Sequence, residues 1–232
     1  MRQKEKATPA HNGDHARTLY DRFADLYDIT FKFNRYGHSL ENYLRRHPLP
    51  LADHARVLDA GCGTGLLTLS LLRVLKRPAE ITAVDLSLPS IVKARRAVRQ
   101  ERRKHSRHRV NFVEANVLHL PFADATFDCV VTSGALEYVS LREGLGELAR
   151  VLRPGGHILH LPIHPSPASS FLELLFRFKT HPPRDVTENT ERYFQVVAHH
   201  RFPPLDPIGW TKSALLAQKP GMAKRRAAGR RH

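Results

Sequence analysis

The chain has 232 residues, 41% of them apolar and 25% charged, with two cysteines and a formal net charge of +15. That size and balance suit one globular domain with a buried core, and no apolar run reaches the roughly 18 residues of a spanning helix. Cys62 and Cys129 have neither disulfide nor metal-ligand spacing, and the polar opening lacks a signal-peptide core, so the expectation is a cytoplasmic, disulfide-free protein.

Residues 1–15 are polar and read as a disordered N-terminus, 16–220 as the domain, and 221–232 as a basic disordered tail. The stretch "ARTLYDRFADLYDITFKF" sets Leu19, Phe23, Leu26 and Tyr27 on one helical face. Strand-like apolar runs follow at Arg56–Ala60, Ile81–Asp85, Val110–Glu114, Phe127–Ser133 and Ile158–Ile163. Helical periods fall between several of them, near Leu66–Lys76, Ser87–Lys104 and Leu141–Leu152, the last stopped by "RPGG". "SALLAQK" reads as one more strand. Such alternation predicts an α/β fold, a Rossmann-like doubly wound and mostly parallel sheet with helices on both faces.

The positive charge is local. Lys93–Arg109 holds nine Lys/Arg and one Glu, and Leu215–His232 holds six Lys/Arg and no acid. Either patch could meet anionic lipid headgroups or RNA phosphates, giving a peripheral membrane or RNA contact. The plainer reading is a solvated helix end and a free tail.

Ligands of open parallel sheets sit at the carboxyl ends of the strands. After the first strand stands "DAGCGTG", where Gly61, Gly63 and Gly65 permit a sharp turn and close backbone approach. Its G-x-G-x-G spacing departs from the G-x-G-x-x-G dinucleotide pattern, with Leu66 in place of the third glycine, which weakens an NAD-dependent oxidoreductase reading. Asp85, at the tip of the second strand, suits ribose hydroxyls, or alternatively a helix cap near Ser87. After the third strand, Asn116 and the Val117 amide could meet an adenine edge.

"VLDAGCGTG", "AVDLS", "EANVLHLPFADATFDCVV" and "ELARVLRPGGHIL", with "YDRFADLYD" ahead of them, resemble the class I S-adenosylmethionine-dependent methyltransferases. Within these, the type of ubiquinone and menaquinone biosynthesis and of phospholipid N-methylation is most similar. The resemblance implies S-adenosyl-L-methionine as cofactor and the class I methyltransferase fold with helical lid elements. It implies that Gly61, Gly63 and Thr64 line the amino-acid moiety, with Asp59 assisting through water or the ammonium group. Asp85 would hold the ribose, Asn116 and Val117 the adenine, and Ser133 the methionine portion. The expected activity is methyl transfer to a small-molecule or lipid-like acceptor. An RNA-directed methyltransferase and a non-catalytic S-adenosylmethionine-binding protein stay open beside it.

The chain departs from the resemblance in places. Glu137 and Tyr138 stand where relatives often show a histidine pair, and Pro162 where the quinone branch keeps an acid, so ring C-methylation is not carried over. His157 and His160 fall on opposite faces of a strand, which argues against a metal site. His164, just past the strand end, is placed to face a substrate. The nearly all-apolar "SFLELLFRF", Phe171–Phe178 within it, reads first as a lid over a hydrophobic acceptor, together with Tyr20–Phe33, with core packing or membrane contact as the alternatives. Neither a catalytic residue nor an oligomeric state is assigned.

Overall fold

The computed structural model describes residues 36–101, 107–176, 178–203 and 206–221. The expected Tyr20–Phe33 helix, the N-terminal tail and the basic tail lie outside these residues.

Seven strands form one sheet in the order β3-β2-β1-β4-β5-β7-β6. They are β1 (Ala55–Ala60), β2 (Ala79–Asp85), β3 (Arg109–Glu114), β4 (Phe127–Ser133), β5 (Leu152–Leu161), β6 (Gln195–Arg201) and β7 (Ser213–Gln218). The first five are parallel, and β7 runs antiparallel to both β5 and β6. The helices are α1 (Tyr36–Arg46), α2 (Leu66–Val74), α3 (Leu88–Glu101), α4 (Leu141–Val151), α5 (Pro167–Phe176) and α6 (Pro183–Glu191). Short 3-10 turns occupy Leu136–Tyr138 and Pro207–Trp210.

Successive strand residues face opposite sides, and this splits the core into two layers. Val57, Ile81, Cys129 and Val131 join α1 and α2 through Leu40, Leu44, Leu67 and Leu71. Leu58, Val84, Val130 and Ile158 join α4 through Leu145 and Leu148, with Leu215 and Ala217 of β7 beside them. Central strands buried on both faces explain why "CVV" reads as an unbroken apolar run.

Polar clamps fix the helices around this core. Arg73 of α2 donates to Glu41 of α1 at 2.9 Å and to Glu101 of α3 at 2.7 Å. Ser140 caps α4 by accepting from the Glu143 amide, in an S-x-x-E arrangement. The loop after β3 is tied to α4. The Leu120 amide donates to Glu147, and Arg150 donates to the carbonyls of Leu120 and Phe122.

The "RPGG" segment is not a simple stop. Helix α4 ends at Val151, and the four residues form the irregular start of β5, with Gly155 at φ 77°. Its amide donates to the Lys219 carbonyl, and the Lys219 ammonium donates to the carbonyls of Ala149 and Leu152. A side chain just past the end of β7 thus secures the beginning of β5.

Replacing the fully buried Leu71 by Ala should cost about 2–5 kcal/mol of unfolding free energy, because the hole lies between α2 and the sheet. Urea denaturation followed by circular dichroism would measure it.

Candidate active site

The turn after β1 carries Gly61, Gly63 and Gly65 at φ 76°, 53° and 94°. All three lie in the left-handed region that side chains disfavour. The amides of Gly61 and Cys62 both donate to the Val84 carbonyl at 2.8 Å, and the Gly65 amide closes the turn on Cys62. A Cβ at Gly61 would stand 2.1 Å from the Ala135 Cβ, so the turns after β1 and β4 touch without room for a methyl group.

Asp85 fastens the turn to the tip of β2. Its Oδ2 accepts from the Gly63 amide at 2.7 Å and its Oδ1 from the Ser87 amide at 2.9 Å. A carboxylate has about four acceptor positions, more than these two amides take. The site and cap readings of Asp85 are therefore compatible.

These elements enclose a cavity of about 160 Å³ at the carboxyl ends of β1, β2 and β4, where the strand order reverses. Gly61, Gly63 and Thr64 form one wall, Asp85 another, and Asn116, Val117 and Ser133 reach it from the loops after β3 and β4. Seven of the eight residues singled out by sequence thus meet on one surface. Asn116 does so as the corner of a tight turn, its Oδ1 accepting from the Leu118 amide at 2.9 Å. One lone pair of that oxygen is used by the turn and the other is available.

Asp59 is the eighth, and it is not on the wall. It is fully buried beneath the turn, where Oδ2 accepts from the Thr68 hydroxyl while Oδ1 has no hydrogen-bond partner. Burial pushes its carboxyl up to about 7, the Thr68 bond opposes this, and the Asp85 charge adds to it. Cys62 lines the cavity, but burial and the two nearby acids push its thiol well above the usual range, so it is no nucleophile.

Two residues that sequence reasoning missed complete the site. The Tyr36 hydroxyl of α1 shares a 2.9 Å hydrogen bond with Ser133, and Lys212, just before β7, donates to the same Ser133 oxygen at 2.9 Å. Both are buried, and the ammonium lies 5.6 Å from the Tyr36 ring centroid. Tyr36 was legible in principle, since Tyr36, Leu40, Tyr43 and Leu44 follow a helical period. Lys212 was not, because only the antiparallel insertion of β7 next to β5 brings it beneath Ser133.

Behind this wall Glu137 is also buried. Its Oε1 accepts from the Ile163 amide at 2.6 Å, and Oε2 has no hydrogen-bond partner. Burial raises its carboxyl, while the Lys212 charge lowers it. His160 is buried too, and desolvation with the neighbouring Lys212 charge brings it down to about 3, so it is neutral.

Two further segments can be placed relative to the cavity. His164 does not face the main cavity. It half-lines a small separate hollow with His181 and His199, because its backbone bonds to Thr211 and turns the residue toward β7. The strap after α5 does reach the site: Phe178 packs against Tyr138, a cavity residue, with ring centroids 5.8 Å apart. The Lys179 amide donates to the Glu137 carbonyl. Among the described residues no cluster of His, Cys, Asp and Glu could hold a metal, and no helix is long and apolar enough to cross a membrane.

Comparison with known proteins points the same way. A methyltransferase-domain family matches residues 57–156. The chain is 34% identical over 182 residues to a demethylmenaquinone methyltransferase of Corynebacterium urealyticum, covering 76% of this chain and 73% of that one. It is 33% identical to a demethylmenaquinone methyltransferase of Thermus thermophilus, covering 66% and 68%. In fold it is similar to the crystal structure of the cyclase SpnF, with a TM-score of 0.71 at 18% identity over 93% of this chain and 100% of that one.

The buried Asp59 gives a pH signature. Its folded pKa lies above its unfolded one, so the stability it contributes is complete below about pH 4 and is lost as pH rises toward 7. Asp59→Asn should therefore flatten the fall in melting temperature between those pH values, as read by calorimetry across the range. Gly61→Ala should weaken S-adenosylhomocysteine binding at least about tenfold by pushing the Ala135 turn away, measured by titration calorimetry.

Proposed function

The chain belongs to the class I S-adenosylmethionine-dependent methyltransferases, and we propose that it methylates a small, lipid-like acceptor. The observation that carries this reading is the single cavity shared by the glycine turn, Asp85, Asn116 and Ser133, with Tyr36 and Tyr138 extending it away from the turn.

The cavity fits the cofactor. It has a backbone cradle with no Cβ at its closest approach, a carboxylate on its wall, and an apolar slot made by Leu86, Ala115 and Val117. In this reading Gly61, Gly63 and Thr64 run along the amino-acid moiety, and Asp59 acts on it through water from beneath the turn. Asp85 accepts from the ribose hydroxyls, Asn116 and Val117 meet the adenine, and Ser133 lies beside the methionine portion. When bound, the cofactor supplies a methyl group already activated on a sulfonium.

The protein's own task is then positioning and exclusion of water. Tyr36 and Lys212 hold the Ser133 hydroxyl from two directions, which fixes one end of the acceptor side. Burial raises the Tyr36 phenol, so it stays protonated and serves as a hydrogen-bonding wall, not as a base. The acceptor side is bounded by Tyr138, whose ring meets Phe178 of the strap that follows α5. That favours a hydrophobic molecule, and the quinone substrates in the names of the relatives are of this kind.

S-adenosylmethionine and S-adenosylhomocysteine should raise the melting temperature, and NAD should not, since a ligand bound only by the folded state stabilises it. A shift with NAD alone would refute the reading. Asp85→Ala should weaken S-adenosylhomocysteine binding by about 1.5–3 kcal/mol. Radiolabelled methyl transfer into fractionated lipid, small-molecule and RNA pools identifies the acceptor, and label appearing only in RNA would exclude a lipid-like one.

A further inference from the structure

Six large apolar side chains are exposed among the described residues: Leu86, Leu88, Val92, Leu174, Val197 and Trp210. Their placement is uneven. Leu86 and Leu88 follow the carboxyl end of β2, and Val92 sits one helical turn later on α3. Leu174 belongs to α5, which follows the carboxyl end of β5. Trp210 precedes Lys212, which bridges Ile163 just past that same end. Five of the six therefore belong to segments at the edge of the sheet where the cavity opens, and only Val197 lies elsewhere, on edge strand β6. Leu86 is both exposed and part of the cavity lining, so the apolar rim and the site are continuous.

Charge follows in order behind the rim. The exposed face of α3 starts with Leu88, Pro89 and Val92 and continues with Arg95, Arg96 and Arg99. Its acid, Glu101, is half-buried and paired with Arg73. Arg95 and Arg96 lie about two turns beyond Leu88, roughly 11 Å along the helix axis. An apolar rim backed at that depth by cations matches the layering of a bilayer surface, where the acyl boundary lies roughly 5–10 Å below the headgroup surface. Lys179, exposed on the strap that bonds to Glu137, adds a cation on the β5 side of the same edge.

We propose that the carboxyl edge of the sheet docks on an anionic lipid surface, with Leu88 and Val92 entering the acyl boundary and the α3 arginines lying against the phosphates. This rests on the reading of the acceptor as lipid-like. It deepens that reading, because docking sets the cavity mouth against the phase in which such an acceptor dissolves. An RNA track would be served by the arginines but gives no role to the leucine and valine ahead of them.

The test is co-sedimentation of the full chain with phosphatidylcholine vesicles, with and without phosphatidylglycerol. Binding should require phosphatidylglycerol and weaken with salt. The double variant Leu88→Asp/Val92→Asp should lose roughly tenfold or more in affinity. Arg96→Gln/Arg99→Gln should lose about fivefold for each arginine, with a shallower salt dependence. S-adenosylhomocysteine titration on the same samples should be unchanged in both variants, which shows that they are folded and separates the two readings. Loss of that binding in the unaltered chain would overturn the methyltransferase site itself. Retained cofactor binding with no vesicle binding overturns docking alone. So does vesicle binding that ignores Leu88→Asp/Val92→Asp, which would assign adhesion to other basic segments. Binding of a single-stranded RNA oligonucleotide in preference to the anionic vesicles overturns it as well.

Discussion

The close approach of Gly61 to Ala135 is the constraint from which the site follows. Two loops leave neighbouring parallel strands and meet with no space for a methyl group between them. Because they meet, the tips of β1 and β4 are held at a fixed separation, and the turn after β1 must curl toward β2 instead. There the Val84 carbonyl receives two amides and the Asp85 carboxylate receives a third. The cavity is the space left on the ligand side of that arrangement. A packing contact, a backbone conformation and a carboxylate's hydrogen bonds are thus one structure, and relaxing any of them moves the others.

Charge is kept off the walls and placed behind them. Asp59, Glu137, His160 and Lys212 are all buried and all lie near the cavity without lining it. Burying a charge is costly unless it is paired, so these groups have either shifted toward neutrality or found partners. Asp59 rises, His160 falls, and Lys212 donates to Ser133. The outcome is a cavity surface of backbone, hydroxyl and apolar groups with one carboxylate at one end. Such a surface suits a reaction in which the cationic reagent brings its own reactivity and the protein must avoid competing for the methyl group with a nucleophile of its own.

The parallel half of the sheet was legible in the sequence because its central strands β1 and β4 are buried on both faces and each strand is followed by turn chemistry. "VLDA" and "VVTS" gave strands to within a residue or two, and the acid and glycines at their ends marked the cavity. The antiparallel half was less so. β6 alternates exposed and half-buried residues, "QVVAHHR", and carries two histidines and an arginine on an edge, so it lacks an apolar signature. α6 is mostly polar. Asp59 shows the other limit: whether a strand-end carboxylate points into the cavity or under the turn is decided by Thr68 on a different element. Lys212 likewise depends on strand order, which local patterns do not encode.

That strand order has a consequence for how the molecule comes into being. β7, the last strand among the described residues, lies inside the sheet, between β5 and β6. While the chain is being synthesised from its N-terminus, β6 emerges with nothing to pair with, and β5 keeps an open edge until residues 213–218 appear. The first five strands can assemble and bring the glycine turn together with Asp85, but Ser133 still lacks its lysine. The nascent protein therefore passes through a stage with half a site and an unprotected sheet edge, and one late strand closes both at once.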